Sequence, residues 1–350
     1  MTTVTTRSFA RAGFLGNPSD GYFGKTISFA FSNFGVELTL KESSRLRFVP
    51  GEVDDATFDS PEQLVRDLRL YGYYGGIRLL KAVTKRFWEH CQRNGLALAP
   101  RNFTAEYRIN IPRLVGLSGS SAICSAMLKA LMKFYGVEIP VEVQPTICLE
   151  AEREELRINC GFQDRVIQIY NGVVFMDFER AFVEANNRGR YERLDASLMP
   201  RLYVAYDARR AEESGEAHKE VKRLFEAKNS DVLAAMTEFA DIAQQGRDAL
   251  VAGRTDLLPA LVDANFDLRD RIFHVAEENK RMVLAARRAG ASAKFAGSGG
   301  AIVGTYEDDA QYAALSRALD EIGCRTFRPT IATSADESAE TPSFAGWRNS

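Results

Sequence analysis

The sequence predicts a mixed α/β protein of the α+β kind, on three observations. Segments of β-branched and aromatic residues recur along the chain, long stretches with apolar residues at helical spacing lie between and after them, and a glycine- and serine-rich loop joins a strand directly to a helix. At 350 residues the chain is long for a single core, so one large domain or two closely joined ones is expected.

Residues 7 to 40 read as strand, glycine-rich turn and strand, because TISFAFSNFGVELTL has the composition of a sheet; this hairpin is expected near the edge of a mixed sheet. Residues 61 to 95 carry helical periodicity, with Leu64, Leu68, Ile77, Leu80, Val83 and Phe87 on buried faces. FTAEYRINI alternates as a strand and leads into the loop, after which residues 122 to 135 form a helix closed by Gly136. A second helix over residues 144 to 157 ends in NCGFQDRVIQIYNG, and VVFMDF and RLYVAYD are further strands. Residues 215 to 288 are almost continuously helical, with interruptions near Asn229, Gly253 and Pro259, as in a helical bundle. ASAKFAGSGGAIVGTY supplies two short strands joined by glycines, and the polar segment 333–350 is expected to be a mobile tail.

Composition narrows the function. Hydrophobic residues make up 45% and charged residues 26%, and the formal net charge is −2, so the basic excess of a nucleic-acid binder is missing. The five cysteines are scattered, odd in number and free of CxxC spacing, which predicts reduced thiols in a cytosol, with Cys124 and Cys148 in the core. MTTVTTRSFARAG lacks the apolar core of a signal peptide and no run approaches a membrane span, so a cytoplasmic protein without a membrane partner is expected. His90, His218 and His274 are too dispersed for a zinc site or a Ser-His-Asp triad.

The segment IPRLVGLSGSSA, residues 111 to 122, is the most informative. Gly116 and Gly119 let the backbone approach a ligand, and the first free N–H groups of the helix after Ser121 point outward with the positive end of the helix dipole behind them, a place for a polyphosphate. The hydroxyls of Ser118, Ser120 and Ser121 can cap the helix, bond a phosphate or hold a magnesium ion. Turns and close helix packing use the same glycines, and the segment is neither a Walker loop, lacking GK[ST], nor a GxGxxG fingerprint. Two more pieces accompany it, RAGFLGNPSD near the start of the chain and KFAGSGGA near its end.

These three segments, in this order and at these separations, resemble the GHMP kinase superfamily, which includes galactokinase, homoserine kinase, mevalonate kinase and phosphomevalonate kinase; the resemblance runs to about residue 332. Within it RAGFLGNPSDGYFGKTIS, IPRLVGLSGSSAI, GFQDRV and KFAGSGGA are most similar to the glucuronokinases, which phosphorylate D-glucuronate at its anomeric hydroxyl. NPSD stands where galactokinases have EHTD, and GLSGSSA where the commoner form is GLGSSA. The resemblance implies a two-part GHMP kinase fold: an N-terminal mixed sheet domain over residues 1–200 with the ATP-binding loop, and a C-terminal α/β domain over residues 201–332. ATP and magnesium are implied at the loop between them.

By the same resemblance Pro112, Gly116, Leu117, Ser118, Gly119, Ser120, Ser121 and Ala122 hold the nucleotide. Asp164 of GFQDRV lies next to the acceptor hydroxyl as general base or electrostatic orienter, while local sequence reads it as a cap for a helix starting at Arg165. Arg11 of RAGFLG matches the basic residue facing that aspartate and the transferring phosphoryl group; outside the motif it is a surface arginine on an edge strand. Asp20, with Asn17, matches the sugar-contacting segment, and Asp is equally at home in the turn PSDG. Ser121 is the implied magnesium-facing hydroxyl, with Ser120 as alternative because the loop is one residue longer. Glu152 of LEAERE falls near the magnesium carboxylate of mevalonate kinases, against a solvated charged helix face. Gly297, Ser298 and Gly299 are assigned to substrate, with Gly300 completing a turn that braces the nucleotide loop, and Lys294 and Ser298 are candidates to reach phosphate or substrate. A plain hairpin explains the same glycines.

The implied reaction is phosphorylation of D-glucuronate by ATP to glucuronate 1-phosphate and ADP, so the partners are a sugar acid and ATP. A uronate needs a cation or backbone donors for its carboxylate; Arg69, Lys25 and Arg165 are candidates. The alternatives are another acceptor, namely galacturonate, arabinose, galactose or a heptose, or a catalytically silent sugar and nucleotide sensor, which has no need of a base.

Overall fold

A computed structural model describes residues 1–51, 54, 60, 75–207 and 215–338; Leu64, Leu68 and Arg69 fall outside the described residues. Strands β1 (Thr3–Leu15) and β2 (Lys25–Ser43) form a long antiparallel pair around a 3₁₀ turn, Ser19–Tyr22, with Thr3 opposite Lys41 and Leu15 opposite Ile27. The other edge of β2 is shared by two strands. Residues 36–43 pair with β4 (Asn102–Ile109), and residues 25–29 pair with β5 (Val173–Asp177). The short β3 (Arg47–Phe48) runs parallel to β4, and β6 (Arg190–Leu194) closes the far side on β5.

β2 is therefore the spine of the first sheet, and only β1 fits the edge position expected for the hairpin. The reason lies in its burial: Thr26, Ile27, Ser28, Phe29, Ala30 and Phe31 are all buried, so both faces of the strand are covered, which an edge hairpin with one wet face would not show.

Helices α1 (Gly76–Arg93) and α2 (Gly119–Tyr135) cover this sheet through Leu79, Val83, Ile123, Met127 and Leu131, which meet Phe14, Phe29 and Leu38 in the main core. The described part of α1 starts at Gly76, and α2 starts three residues earlier than expected, so Ser120 and Ser121 lie in its first turn. Helix α3 (Gln144–Glu150) continues into a π-helical turn, Ala151–Glu155, where the sequence suggested one uninterrupted helix. Helix α4 (Gln163–Tyr170) packs Val166 and Ile167 against Phe9, Ala30 and Met176 in a separate cluster, and α5 (Arg180–Asn186) follows β5.

The second sheet is antiparallel in the order β10 (Cys324–Phe327), β7 (Leu202–Asp207), β9 (Ala301–Thr305), β8 (Lys294–Phe295). Among the described residues four α-helices lie between β7 and β8: α6 (Gly215–Glu226), α7 (Ser230–Val251), α8 (Leu258–Phe273) and α9 (Glu277–Arg288). Asn229 makes the expected break by accepting from the N–H groups of Asp231 and Val232, each at 3.1 Å, which caps α7. A further break comes at His274, which adopts a left-handed conformation at the end of α8. Tyr203, Phe266, Val283, Phe295 and, from α10 (Asp309–Glu321), Leu315 and Leu319 form the core of this half. The main core nevertheless crosses residue 200, because Phe239, Ile242 and Val262 belong to it.

Residues 334–338 form a short helix, α11 (Ser334–Ser338), whose Glu337 pairs with Lys129 of α2 and accepts from Asn171. The first part of the segment expected to be a mobile tail is thus docked, by a half-buried lysine that gains a carboxylate partner. None of the five cysteines is in a disulfide, and Cys124 and Cys148 are buried as expected. No helix of the described residues is long and apolar enough to cross a membrane.

A methyl group at Gly304 in β9 tests the second sheet. A Cβ there would sit 1.7 Å from the carbonyl oxygen of Ser292, which also accepts from the Tyr203 hydroxyl. Gly304→Ala should cost about 3 kcal/mol in urea unfolding; wild-type stability would show that the strands slide apart freely.

Candidate active site

The first β-strand, the loop before α2, the start of α4 and the glycine turn after β8 converge on a cavity of about 560 Å³. Arg11 alternates along β1 with Ala10 and Ala12 of the main core and points instead to α4. There its Nε and Nη2 donate to the two carboxylate oxygens of Asp164, at 2.6 and 2.9 Å. Its Nη1 donates to the carbonyl oxygens of Gly116 (2.6 Å) and Ala296 (3.1 Å). The Ser118 hydroxyl donates to the same carboxylate at 2.6 Å.

Asp164 therefore does not cap its helix. Helix α4 begins at Gln163, and the carboxylate is spent on Arg11 and Ser118. Burial pushes its carboxyl up, but the Arg11 charge and hydrogen bonds, Arg165 and Ser118 outweigh this and leave it at about 2. It is ionised at any working pH.

The loop owes its shape to three left-handed residues, Leu114, Gly116 and Ser118. At Ser118 this conformation turns the side chain toward Asp164 and the carbonyl toward the Gln168 amide, at 2.9 Å, so no side chain caps α2. The first N–H groups of a 17-residue helix thus have no side-chain cap, and Ser118, Gly119 and Ser120 line the cavity beside them. Gly116 answers a different demand, since a Cβ there would lie 2.3 Å from the carbonyl oxygen of Gly299, and one at Gly297 would lie 2.3 Å from that of Gly116. The two loops are interlocked backbone to backbone. Arg269 of α8 clamps the second one, donating to the carbonyls of Gly297 (2.8 Å) and Ser298 (2.6 Å).

Among the expected substrate residues, Asn17, Asp20, Gly297 and Ser298 line the cavity, whereas Gly299 faces the loop and not the cavity. Of the nucleotide set, Pro112, Gly116, Leu117, Ser118, Gly119 and Ser120 line it; Ser121 and Ala122 are fully buried in α2. Asp20 accepts from the main-chain and side-chain nitrogens of Gln163 at 3.1 and 3.3 Å. It approaches so closely that a Cβ on Gly161 would sit 1.8 Å from its Oδ2. Burial first, then the charge of Asp164, lifts the Asp20 carboxyl to about 6. Lys294 does not reach the cavity: it is buried, holding the carbonyl oxygens of Gly13 (2.7 Å) and Phe295 (2.9 Å) and the Asn17 side chain, and burial drives its pKa far down.

Both expected magnesium ligands are elsewhere engaged. The Ser121 hydroxyl donates back to the Ser118 carbonyl at 3.3 Å inside the helix, and Glu152 is fully buried against Arg165, at 2.5 Å. Burying a carboxylate demands a cation, and Arg165 supplies it from 13 residues further along the chain, on the next helix, so Glu152 is neither a solvated helix face nor a cavity residue. Of the loop hydroxyls, those of Ser118 and Ser120 belong to cavity-lining residues. Among the described residues no three His, Cys, Asp or Glu side chains gather to hold a metal ion.

Sequence reasoning missed Tyr22, Arg153, Lys219, Lys222 and Arg269, which also line the cavity. Nothing local marks them: Arg153 sits in the charged run LEAEREELR and Arg269 in the helical segment DLRDR. Of the carboxylate candidates, Lys25 bonds Gln244 at 2.8 Å away from the cavity, and Arg165 lines it but is held by Glu152.

The raised Asp20 gives a pH-dependent stability with a definite sign. The folded state holds the Asp20 proton more tightly than the unfolded chain, so its contribution is full below about 4 and is lost as pH rises through about 6. Relative to Asp20→Asn, the wild type should lose roughly 3 kcal/mol of unfolding free energy between pH 4 and 7. Parallel urea-stability curves for the two proteins would contradict the assignment.

The GHMP kinases N terminal domain family matches residues 78–172, the stretch that carries the loop, α2 and Asp164. "Probable glucuronokinase 2" of Arabidopsis thaliana is 45% identical over 304 residues, which cover 85% of this chain and 82% of that protein. "Glucuronokinase 1" of the same plant is 44% identical over 303 residues, 85% of this chain and 83% of that one. A crystal structure of Lactococcus lactis galactokinase complexed with galactose shares the fold, with a TM-score of 0.72 at 15% identity, covering 95% of this chain and 94% of that chain. Identity of this extent, on the fold just described, makes the protein a member of the GHMP kinase family and, within it, a small-molecule sugar kinase.

Proposed function

We propose that the protein transfers the terminal phosphoryl group of ATP to the anomeric hydroxyl of D-glucuronate, giving glucuronate 1-phosphate and ADP. The observation that carries this reading is the forked Arg11–Asp164 pair, bound by Ser118, on a cavity whose neighbouring wall is a helix start with no side-chain cap. The similarity to two glucuronokinases over most of both chains supports the acceptor.

On this reading the triphosphate lies along residues 116–120, accepting from main-chain N–H groups at the start of α2. Asp164 already accepts three hydrogen bonds and keeps about one fifth of its side chain, 19%, exposed, so one oxygen position remains for the sugar hydroxyl. A carboxylate held at about 2 is a poor proton acceptor. Its part is to orient the hydroxyl toward the terminal phosphorus, while Arg11 stands beside the charge that develops there. As the sugar oxygen bonds to phosphorus the bond to the ADP oxygen breaks, and the hydroxyl proton passes to a phosphate oxygen. Asp20 and Asn17 accept from the other sugar hydroxyls.

Magnesium bound with the nucleotide would neutralise its phosphates. Ser118 and Ser120, which line the cavity, are the residues whose hydroxyls would hold it. This sparse donor set fits an ion that keeps much of its water and is carried by phosphates.

Two measurements test the reading. In an ADP-coupled assay over sugars and uronic acids, glucuronate should exceed glucose, galactose, arabinose and heptoses in kcat/KM by about 100-fold or more; a neutral sugar outperforming it, or no transfer to any of them, overturns the proposal. Asp164→Asn should lower kcat by about 10² to 10³ while the ATP dissociation constant stays put. Unchanged turnover would remove Asp164 from the reaction.

A further inference from the structure

The cavity holds more cations than the transfer reaction uses, and they differ in what they already hold. Arg11 is bound by Asp164, Arg165 by Glu152, and Arg269 by the carbonyls of Gly297 and Ser298. Arg153 is different. It leaves the π-helical turn Ala151–Glu155, its Nε donates to the Cys160 carbonyl at 2.8 Å, and its guanidinium carbon lies 4.9 Å from the centre of the Phe162 ring. The group is therefore fixed in place, yet its two terminal nitrogens have no acid and no hydrogen-bond acceptor among the described residues.

Lys219 and Lys222, three residues apart on α6, line the same cavity and have no acidic partner among the described residues either. Together with Arg153 they continue into a side recess of about 410 Å³, where Arg157 adds positive charge, Arg223 is paired with Glu220 at 2.7 Å, and Glu226 is the one acid among the described lining residues. In a chain of net charge −2 this is a local concentration. It lies on the Asp20 side of the cavity, since Cys160, which accepts from Arg153, precedes Gly161, where a Cβ would sit 1.8 Å from Asp20 Oδ2.

We propose that Arg153, with Lys219 and Lys222 beside it, receives the carboxylate of the acid acceptor and sets the preference for a uronate over a neutral hexose. This rests on the reading that the acceptor is a sugar acid. A guanidinium anchored through Nε and stacked on a ring presents a rigid edge, which matches two carboxylate oxygens and loses little freedom on binding. A neutral hydroxymethyl group in the same place offers one weak acceptor and leaves a desolvated cation short of partners.

The test compares kcat/KM for glucuronate with that for glucuronamide, its uncharged amide, in the full-length protein. Wild type should favour the acid, Arg153→Gln should lower the acid-to-amide ratio by about 100-fold through the KM for the acid, and Arg153→Lys should restore part of it. Lys219→Gln with Lys222→Gln, on an exposed helix face where folding is not at stake, should lower the same ratio by about 5-fold, and more at low salt. If Arg153→Gln depresses acid and amide alike, or fails to fold while the lysine pair leaves the ratio unmoved, the carboxylate site is wrong although wild-type glucuronate activity stands. A raised ATP dissociation constant in Arg153→Gln would likewise overturn it, by placing the residue on the triphosphate. A wild type that uses amide and acid equally well brings down the acid-acceptor reading itself.

Discussion

The architecture of the site depends on one buried guanidinium. Arg11 is 4% exposed, and removing such a group from water costs several kcal/mol unless its donors are matched. The matching partners come from three places: the Asp164 fork from α4, the Gly116 carbonyl from the loop before α2, and the Ala296 carbonyl from the turn after β8. The main-chain N–H of Gly13, two residues along β1, donates to the same Ala296 carbonyl at 2.7 Å. A cation that must find all of these at once holds strand, helix and both loops in one register. Its worth is geometric more than energetic, since well-packed apolar groups often replace a buried pair without loss of stability.

The glycines carry the second constraint, and their meaning differs from position to position. At Gly116 and Gly297 the neighbour that leaves no room for a side chain is the backbone of the facing loop. Gly297 also leaves 2.9 Å between its missing Cβ and Arg11 Nη1. At Gly119 the protein makes no such demand: a Cβ there would touch the side chains of Ile109, at 3.4 Å, and Ile111, at 3.8 Å, both in ordinary contact. Two glycines of the loop that look alike in GLSGSSA thus differ, one required by packing and the other free to serve whatever lies against the helix start.

This distinction marks how far the sequence was legible. The loop, its helix, the mixed content and the pairing of Arg11 with Asp164 could be placed in advance, because the motif residues stand at fixed positions and the turn chemistry is local. What escaped was set by burial across long separations. Glu152 of LEAERE read as a magnesium carboxylate or a solvated helix face, yet in the π-helical turn it is buried against Arg165. Lys294 looked ready for phosphate, yet it is enclosed by carbonyls of β1 and its own strand. β2 looked like an edge strand because its two exterior pairings, with β4 and β5, are made by segments of chain about 60 residues or more away. Arg153 and Arg269 sit in runs of charge that ordinarily face water, and only the folded chain shows which of several neighbouring arginines turns toward the cavity.

The two aspartates of the cavity show the same principle in electrostatic form. Asp20 and Asp164 are close enough for one charge to disfavour the other, and the pair resolves the conflict by environment: Asp164, gripped by Arg11, stays ionised near 2, and Asp20, lifted by burial and by the Asp164 charge against the opposing donation from Gln163, rises to about 6. Environments that push two carboxylates apart assign them different tasks. The low one is a fixed negative charge with an oriented lone pair, suited to aligning a hydroxyl that attacks phosphorus. The high one is poised to exchange a proton near neutrality, so it can meet a sugar hydroxyl as acceptor or, below about 6, as donor. Arg11 fixes the first outcome directly, whereas Asp20 is set chiefly by its burial, with the Asp164 charge adding to the rise and the Arg11 charge opposing it, so the strand that builds the sheet holds one of the two carboxylates in its charged form.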